Sequence, residues 1–206
     1  PRATPTFHQG RIYALGAEGE LRVLDAGSGA LVWRRNILTD NGASNLAWGM
    51  SASPLIVDDK VIVLPGGSRA SSVVAYSKGT GDVVWRSQDD EQGYTSPMLV
   101  TLGGVRQILV VSASRAMGLS VDTGRLLWEH PWSTFNGINV SQPIVFAHNG
   151  NDRVFLSASY STGATVFELT PNGDRFQTKT VWENQRMKNK FSSSVLHNGF
   201  IYGLDE

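Results

Sequence analysis

The feature that most limits what this chain can fold into is a Gly-x-x-x-Trp element that recurs in step along it. Trp33, Trp85 and Trp128 each follow a glycine by four positions, namely Gly29, Gly81 and Gly124, and each glycine follows Ser28, Thr80 or Thr123. Between glycine and tryptophan stand Ala-Leu-Val, Asp-Val-Val and Arg-Leu-Leu, which suit a short strand ending on a large aromatic. A fourth copy runs from Gly173 to Trp182 with a longer gap, and so carries an insertion. A missed internal period would misplace every element, so the other landmarks are placed against this one.

A second landmark keeps the same step. Thr4-Pro5, Ser53-Pro54, Ser96-Pro97 and Gln142-Pro143 open successive units, with Ser194-Val195 as a degenerate fifth, at spacings of 49, 43, 46 and 52 residues. A β-rich run follows each: 11–15, 60–64, 107–111, 153–157 and 200–204. Another run precedes the Gly–Trp element at 21–25, 73–77 and 118–120. The unit is four short strands in about 45 residues with no helical period, which is the arithmetic of a β-propeller blade. The expected fold is all-β, with four-stranded antiparallel blades over about 4–36, 51–88, 95–131 and 141–184 and a partial blade over 192–206. Glycine after Ser or Thr supplies the positive φ of the turn between third and fourth strands, and the tryptophan face can wedge between blades. The chain begins with Pro1 and its fifth unit stops after two strands, so it reads as about four and a half blades of a larger propeller. An open arc leaves two sheet faces uncovered, a route to self-association.

Composition removes several classes. Lys+Arg and Asp+Glu are 18 each, so nothing favours a nucleic-acid backbone. No apolar run reaches the ~18–20 residues of a membrane span. There is no cysteine, which excludes disulfide scaffolds, thiol nucleophiles and iron–sulfur sites.

The element Asp25-Ala-Gly-Ser-Gly29-Ala-Leu-Val-Trp33 resembles the tryptophan-docking repeat of the quinoprotein (PQQ-like) propellers. The segments ending at Trp85 and Trp128 repeat it, with Ser77 and Ser120 in the aspartate position. The resemblance covers nearly the whole chain. It implies a propeller of about eight blades working in the periplasm or another extracytoplasmic compartment. It also implies one of two functions: a non-catalytic binding or assembly scaffold of the BamB-like branch, without cofactor, or a quinone-dependent alcohol or sugar dehydrogenase with pyrroloquinoline quinone (PQQ) and calcium. The vicinal cysteine pair common in those dehydrogenases is missing, and no stretch matches their calcium ligands or their catalytic aspartate. The scaffold branch is therefore the expected one, with no catalytic residue assigned, and a polysaccharide-binding propeller is a third reading.

Individual side chains offer little chemistry. His8, His148 and His197 share one repeat position beside a hairpin turn and read as turn residues, whereas His130 reads as an inter-blade surface residue. Asp89-Asp90-Glu91 reads as loop charge without the alternating oxygen spacing of a calcium loop, and no metal site is expected. The loops joining the last strand of one blade to the first of the next are more informative, because in a propeller they often gather at the axial mouth. They contribute Asn45 and Trp48, then Tyr94, then Phe135 and Asn139, then Arg186, Lys188, Asn189, Lys190 and Phe191. Trp48, Tyr94, Asn139, Arg186, Lys188, Asn189 and Lys190 are the candidate ligand-binding set. They suit a protein or peptide partner, an anionic small molecule or a saccharide.

Overall fold

A computed structural model describes residues 2–206. About half of them are strand, and helix is confined to two single turns, Thr39–Asn41 and Phe135–Gly137. The strands form four sheets of four and one of two, each ordered sequentially and antiparallel from inside to outside. The first blade is β1 (Thr6–His8), β2 (Arg11–Leu15), β3 (Glu20–Asp25) and β4 (Leu31–Asn36); the second is β5 (Leu55–Val57), β6 (Lys60–Val63), β7 (Val73–Ser77) and β8 (Val83–Ser87). The third is β9 (Met98–Leu102), β10 (Val105–Val111), β11 (Arg115–Ser120) and β12 (Leu126–Pro131). The fourth is β13 (Ile144–His148), β14 (Asn151–Ala158), β15 (Gly163–Asn172) and β16 (Arg175–Asn184), followed by the hairpin β17 (Val195–His197) and β18 (Phe200–Tyr202). This is the propeller architecture of four-stranded blades that the repeat implies.

The core lies between blades, because each sheet alternates its side chains between two neighbours. Tyr13, Val23 and Trp33 of the first blade pack against Val61, Val74 and Tyr76 of the second; Ile62, Ala75 and Trp85 of the second meet Ile108, Met117 and Leu119 of the third. The tryptophans join the layers in a repeated way. Trp33 donates its indole N–H to the Lys78 carbonyl at 3.1 Å, and Trp85 donates to the Val121 carbonyl at 3.2 Å. Each ring lies flat on the turn glycine of the next blade. Gly81 has φ +75°, and a Cβ there would sit 2.8 Å from the Trp33 ring; at Gly124 the values are φ +69° and 2.7 Å from Trp85. Glycine is thus required twice over, by the backbone and by the approach of the ring.

Two positions after each tryptophan, a second side chain reaches the same turn: Arg35 Nε donates to the Gly81 carbonyl at 2.7 Å and Ser87 Oγ to the Gly124 carbonyl at 2.5 Å. The third interface departs from this pattern. The inserted residues of the fourth copy lengthen β15 and β16 to ten residues each, so no Thr-Gly turn stands opposite Trp128. Trp128 donates instead to Oε1 of the buried Gln107 in its own blade, at 2.5 Å. His130, two positions after Trp128, is correspondingly buried. Its ring stacks on Phe167 at 4.0 Å, with Nδ1 3.2 Å from the Thr178 hydroxyl. The expectation of a surface histidine is corrected here: His130 is inter-blade and 8% exposed, because it takes the role played elsewhere by Arg35 and Ser87. Burial lowers its pKa below the ordinary histidine value.

Ahead of the first strand of each blade, the strand-opening residues make a ladder. The backbone N–H groups of Thr4, Ser53, Ser96 and Gln142 donate to the side chains of Ser53, Ser96, Gln142 and Ser193 respectively, at 2.7–2.9 Å. Each lies at or just before the proline of its unit, where the backbone has no ladder partner in its own sheet. At the two ends of the arc, apolar faces are open. The cross-strand row Phe7–Ile12–Leu24–Leu31 leaves Phe7 and Leu31 exposed, as are Val195, Phe200 and Tyr202 of the last hairpin.

Candidate functional site

The loops that carry the chain from the outer strand of one blade to the inner strand of the next converge on one groove of about 630 Å³. Four such loops supply its wall: Trp48 and Ser51 from the first, Tyr94 from the second, Ile138 and Val140 from the third, and Phe191 from the fourth. Tyr160, in the β14–β15 loop, and Arg2, ahead of β1, complete it. Trp48 and Tyr94 pack on each other with ring centres 6.0 Å apart and planes tilted by 55°, so they do not form one flat platform. Trp48 is 56% and Phe191 76% exposed, so the aromatic surface is open to solvent. Side chains this apolar facing water at a loop junction are the usual composition of a recognition surface.

The loop bases are held by buried amides. Asn139 Nδ2 donates to the Ser112 carbonyl at 2.8 Å, and the Asn139 carbonyl accepts from the N–H of Tyr94 at 2.7 Å. This ties the third loop to the second and sets Tyr94 in the groove. Asn189, 1% exposed, accepts from the Ser194 and Ser141 hydroxyls through its amide oxygen at 2.7 and 3.2 Å and donates to the Leu204 carbonyl at 2.8 Å. Of the seven candidates, Trp48 and Tyr94 therefore line the groove, while Asn139 and Asn189 lie beneath it as loop ties. Arg186 is exposed with its N–H on Asn184 Oδ1, and Lys188 has its N–H on Asp205 Oδ1; neither lines the groove.

Lys190 is at the rim. Its ammonium lies 5.2 Å from the centre of the Tyr160 ring and 6.0 Å from that of Phe191, and it donates to Glu206 Oε1 at 2.7 Å. The mutual hydrogen bond draws Glu206 below the usual carboxylate range and raises Lys190 above its ordinary value. At the other edge, Arg2 Nη1 donates to the Trp48 carbonyl at 2.9 Å. Among the described residues, no carboxylate lines the groove. Arg2 and Tyr160 escape a reading of the sequence confined to outer-to-inner loops, and Ile138 and Val140, which stand on the third such loop, carry no polar or aromatic signal to single them out. Tyr160 could have been found, since in a four-stranded antiparallel blade the β14–β15 loop emerges on the same face as the inter-blade loops.

Acidic residues elsewhere are engaged structurally. Asp90, expected as loop charge, has a 7% exposed side chain and accepts from Arg115 Nε and Nη2 at 2.8 and 2.7 Å and from the Ser112 hydroxyl at 3.1 Å. Its oxygens are committed to fixing the β10–β11 hairpin. His8, His148 and His197 close the first strands of their blades, one residue before the turns at Gln9-Gly10, Asn149-Gly150 and Asn198-Gly199, all with positive φ at both positions. Among the described residues, no group of three or more His, Asp or Glu side chains is placed to hold a metal.

Comparison with known proteins agrees with this architecture. The chain is 29% identical over 137 residues to the quinoprotein ethanol dehydrogenase of Pseudomonas aeruginosa, an alignment covering 60% of the chain and 22% of that enzyme. BamB from Moraxella catarrhalis superposes on 98% of the chain and 58% of its own length, with a TM-score of 0.65 at 11% identity. The quinohemoprotein alcohol dehydrogenase of Comamonas testosteroni covers 97% of the chain and 37% of its own length, with a TM-score of 0.57 at 16% identity. The chain thus spans about a fifth of the length of the curated relative it matches, and the structural likenesses speak to the fold. Across residues 1–206 the sequence matches the family model described as outer membrane protein assembly factor BamB, and the chain belongs to that family of PQQ-like propellers.

Proposed function

We propose that the chain is a non-catalytic binding and assembly scaffold of an extracytoplasmic compartment, and that its axial groove receives a segment of a polypeptide partner. The observation that carries this reading is the convergence of four inter-blade loops on one solvent-open aromatic groove whose bases are fixed by buried amides. A rigid base carrying exposed Trp and Phe side chains beside half-buried tyrosines is how recognition surfaces gain contact area at little ordering cost. Family membership supports the scaffold reading, since the family model is described as an assembly factor. No helix is long and apolar enough to cross a membrane among the described residues.

A second reading is favoured by the identity with quinoprotein ethanol dehydrogenase: a portion of a quinone-dependent dehydrogenase holding PQQ and calcium. The groove's own side chains do not fit that pair, because calcium takes oxygen ligands, chiefly carboxylates, and none lines the groove. Calorimetric titration separates the two. Reduced, carboxymethylated α-lactalbumin, an unfolded polypeptide, is expected to bind saturably to the chain and to lose binding in Trp48→Ala. Stoichiometric binding of PQQ only with calcium, and no polypeptide binding, would overturn the scaffold reading.

A further inference from the structure

Resting on that reading, we propose that the groove selects an extended peptide segment that places an aromatic or branched side chain beside an aspartate or glutamate, and that Glu206 is an internal competitor for the carboxylate's place on Lys190. Three observations bear on the chemistry of the occupant. The wall is aromatic and aliphatic: the Trp48 and Tyr94 rings pack on each other at 6.0 Å, and the open faces of Trp48 and Phe191 offer a surface on which one ring or branched chain can lie. The charges at its edges are Arg2 at one side and the Lys190–Glu206 pair at the other, so Arg2 leaves the edge net positive while no carboxylate stands in the lining. The ammonium of Lys190 is already positioned over Tyr160 and Phe191, its remaining electrostatic demand met by Glu206 from outside the lining.

A cation held against ring faces keeps its donors directed away from the rings, here towards Glu206. A carboxylate entering the groove can take over that donor while its apolar neighbour packs on the open faces of Trp48 and Phe191. The exchange replaces the bond to Glu206 with one to the entering carboxylate, which a glutamine cannot do as well, and the apolar contact adds to it. Flat stacking of a sugar ring is less suited to the site, since the Trp48 and half-buried Tyr94 rings meet at 55° and Ser51, the groove's one hydroxyl apart from its tyrosines, is bonded to the Tyr94 carbonyl.

The test uses the 206-residue chain and three synthetic ten-residue peptides. All share a Gly/Ser frame with two tryptophans, flanked in turn by glutamates, glutamines or lysines; titrations are read by calorimetry, and maltohexaose serves as the saccharide probe. The glutamate peptide is expected to bind about tenfold more tightly than the lysine peptide at low salt. Glu206→Gln is expected to tighten the glutamate peptide about threefold and leave the glutamine peptide unchanged, whereas Lys190→Gln brings the glutamate peptide down to the glutamine peptide's affinity. Glu206 is exposed and Lys190 half-buried, and unchanged thermal melts confirm folding. Equal binding of the three peptides, or no effect of Glu206→Gln, overturns this inference and leaves the scaffold reading standing. No binding by any peptide, or binding of maltohexaose alone, overturns both.

Discussion

The backbone amide of Ser53 donates to the hydroxyl of Ser96, 43 residues further along the chain, at 2.8 Å. The same bond links Thr4 to Ser53, Ser96 to Gln142 and Gln142 to Ser193, so one side chain per repeat fixes each blade to the next at the inner end. Ser96→Ala leaves a half-buried N–H without its acceptor and is expected to cost about 1–2 kcal/mol. The measurement is the urea midpoint at unchanged m-value. Ser96→Thr, which keeps the hydroxyl, should recover most of the loss.

At the outer end, the docked tryptophans give a separable effect. Gly29 and Gly81 have nearly the same backbone, φ +73° and +75°, but a Cβ at Gly29 meets nothing within 4 Å while one at Gly81 meets the Trp33 ring. Gly29→Ala should cost about 1 kcal/mol from the left-handed backbone alone. Gly81→Ala should cost about 2 kcal/mol more, because the ring must leave its seat. Similar losses for both in thermal melts would contradict the docking role.

Asp90 and Arg115 make a partly buried pair that also engages Ser112 and Glu129. Asp90→Asn removes the charge facing an arginine that is itself only 23% exposed, and should destabilise by about 2 kcal/mol, moderated by the remaining Glu129 contact. Denaturant unfolding of the variant beside the parent checks this.

His130 makes stability depend on acidity. Its folded pKa lies below 6.5 because burial against Phe167 disfavours the cation, a bias that nearby Glu183 only partly offsets; Glu129 precedes it in the chain, and Thr178 meets its Nδ1. Between the folded and unfolded values the unfolded chain binds more protons, so stability falls as pH drops from 6.5 through the lower folded value. Urea midpoints from pH 7.5 to 5 should decline more steeply for the parent than for His130→Gln.

Most of the fold was legible because its determinants are local and repeated. Trp33, Trp85 and Trp128 with their glycines, and the Pro5, Pro54, Pro97 and Pro143 landmarks, mark strand ends whose spacing counts the blades. What the repeat could not convey is how a break in it is repaired. The long β15–β16 hairpin removes the turn that Trp128 would dock on, and the consequences fall on Gln107 and His130, side chains in the preceding blade. The site was half legible for a similar reason. Loop membership located Trp48 and Tyr94, but whether a loop asparagine faces a ligand or ties down a backbone depends on contacts 27 and 48 residues away, as for Asn139 and Asn189.

The most direct measurement is the two-dimensional nitrogen–proton NMR spectrum of the six tryptophan indoles during titration with unfolded, carboxymethylated α-lactalbumin. Trp48 is the one indole on the groove wall, and those of Trp33, Trp85 and Trp128 are hydrogen-bonded between or within blades. The scaffold reading predicts a saturable shift of the Trp48 signal while those three stay in place. A Trp48 signal that ignores polypeptide and saturates with PQQ and calcium would contradict it.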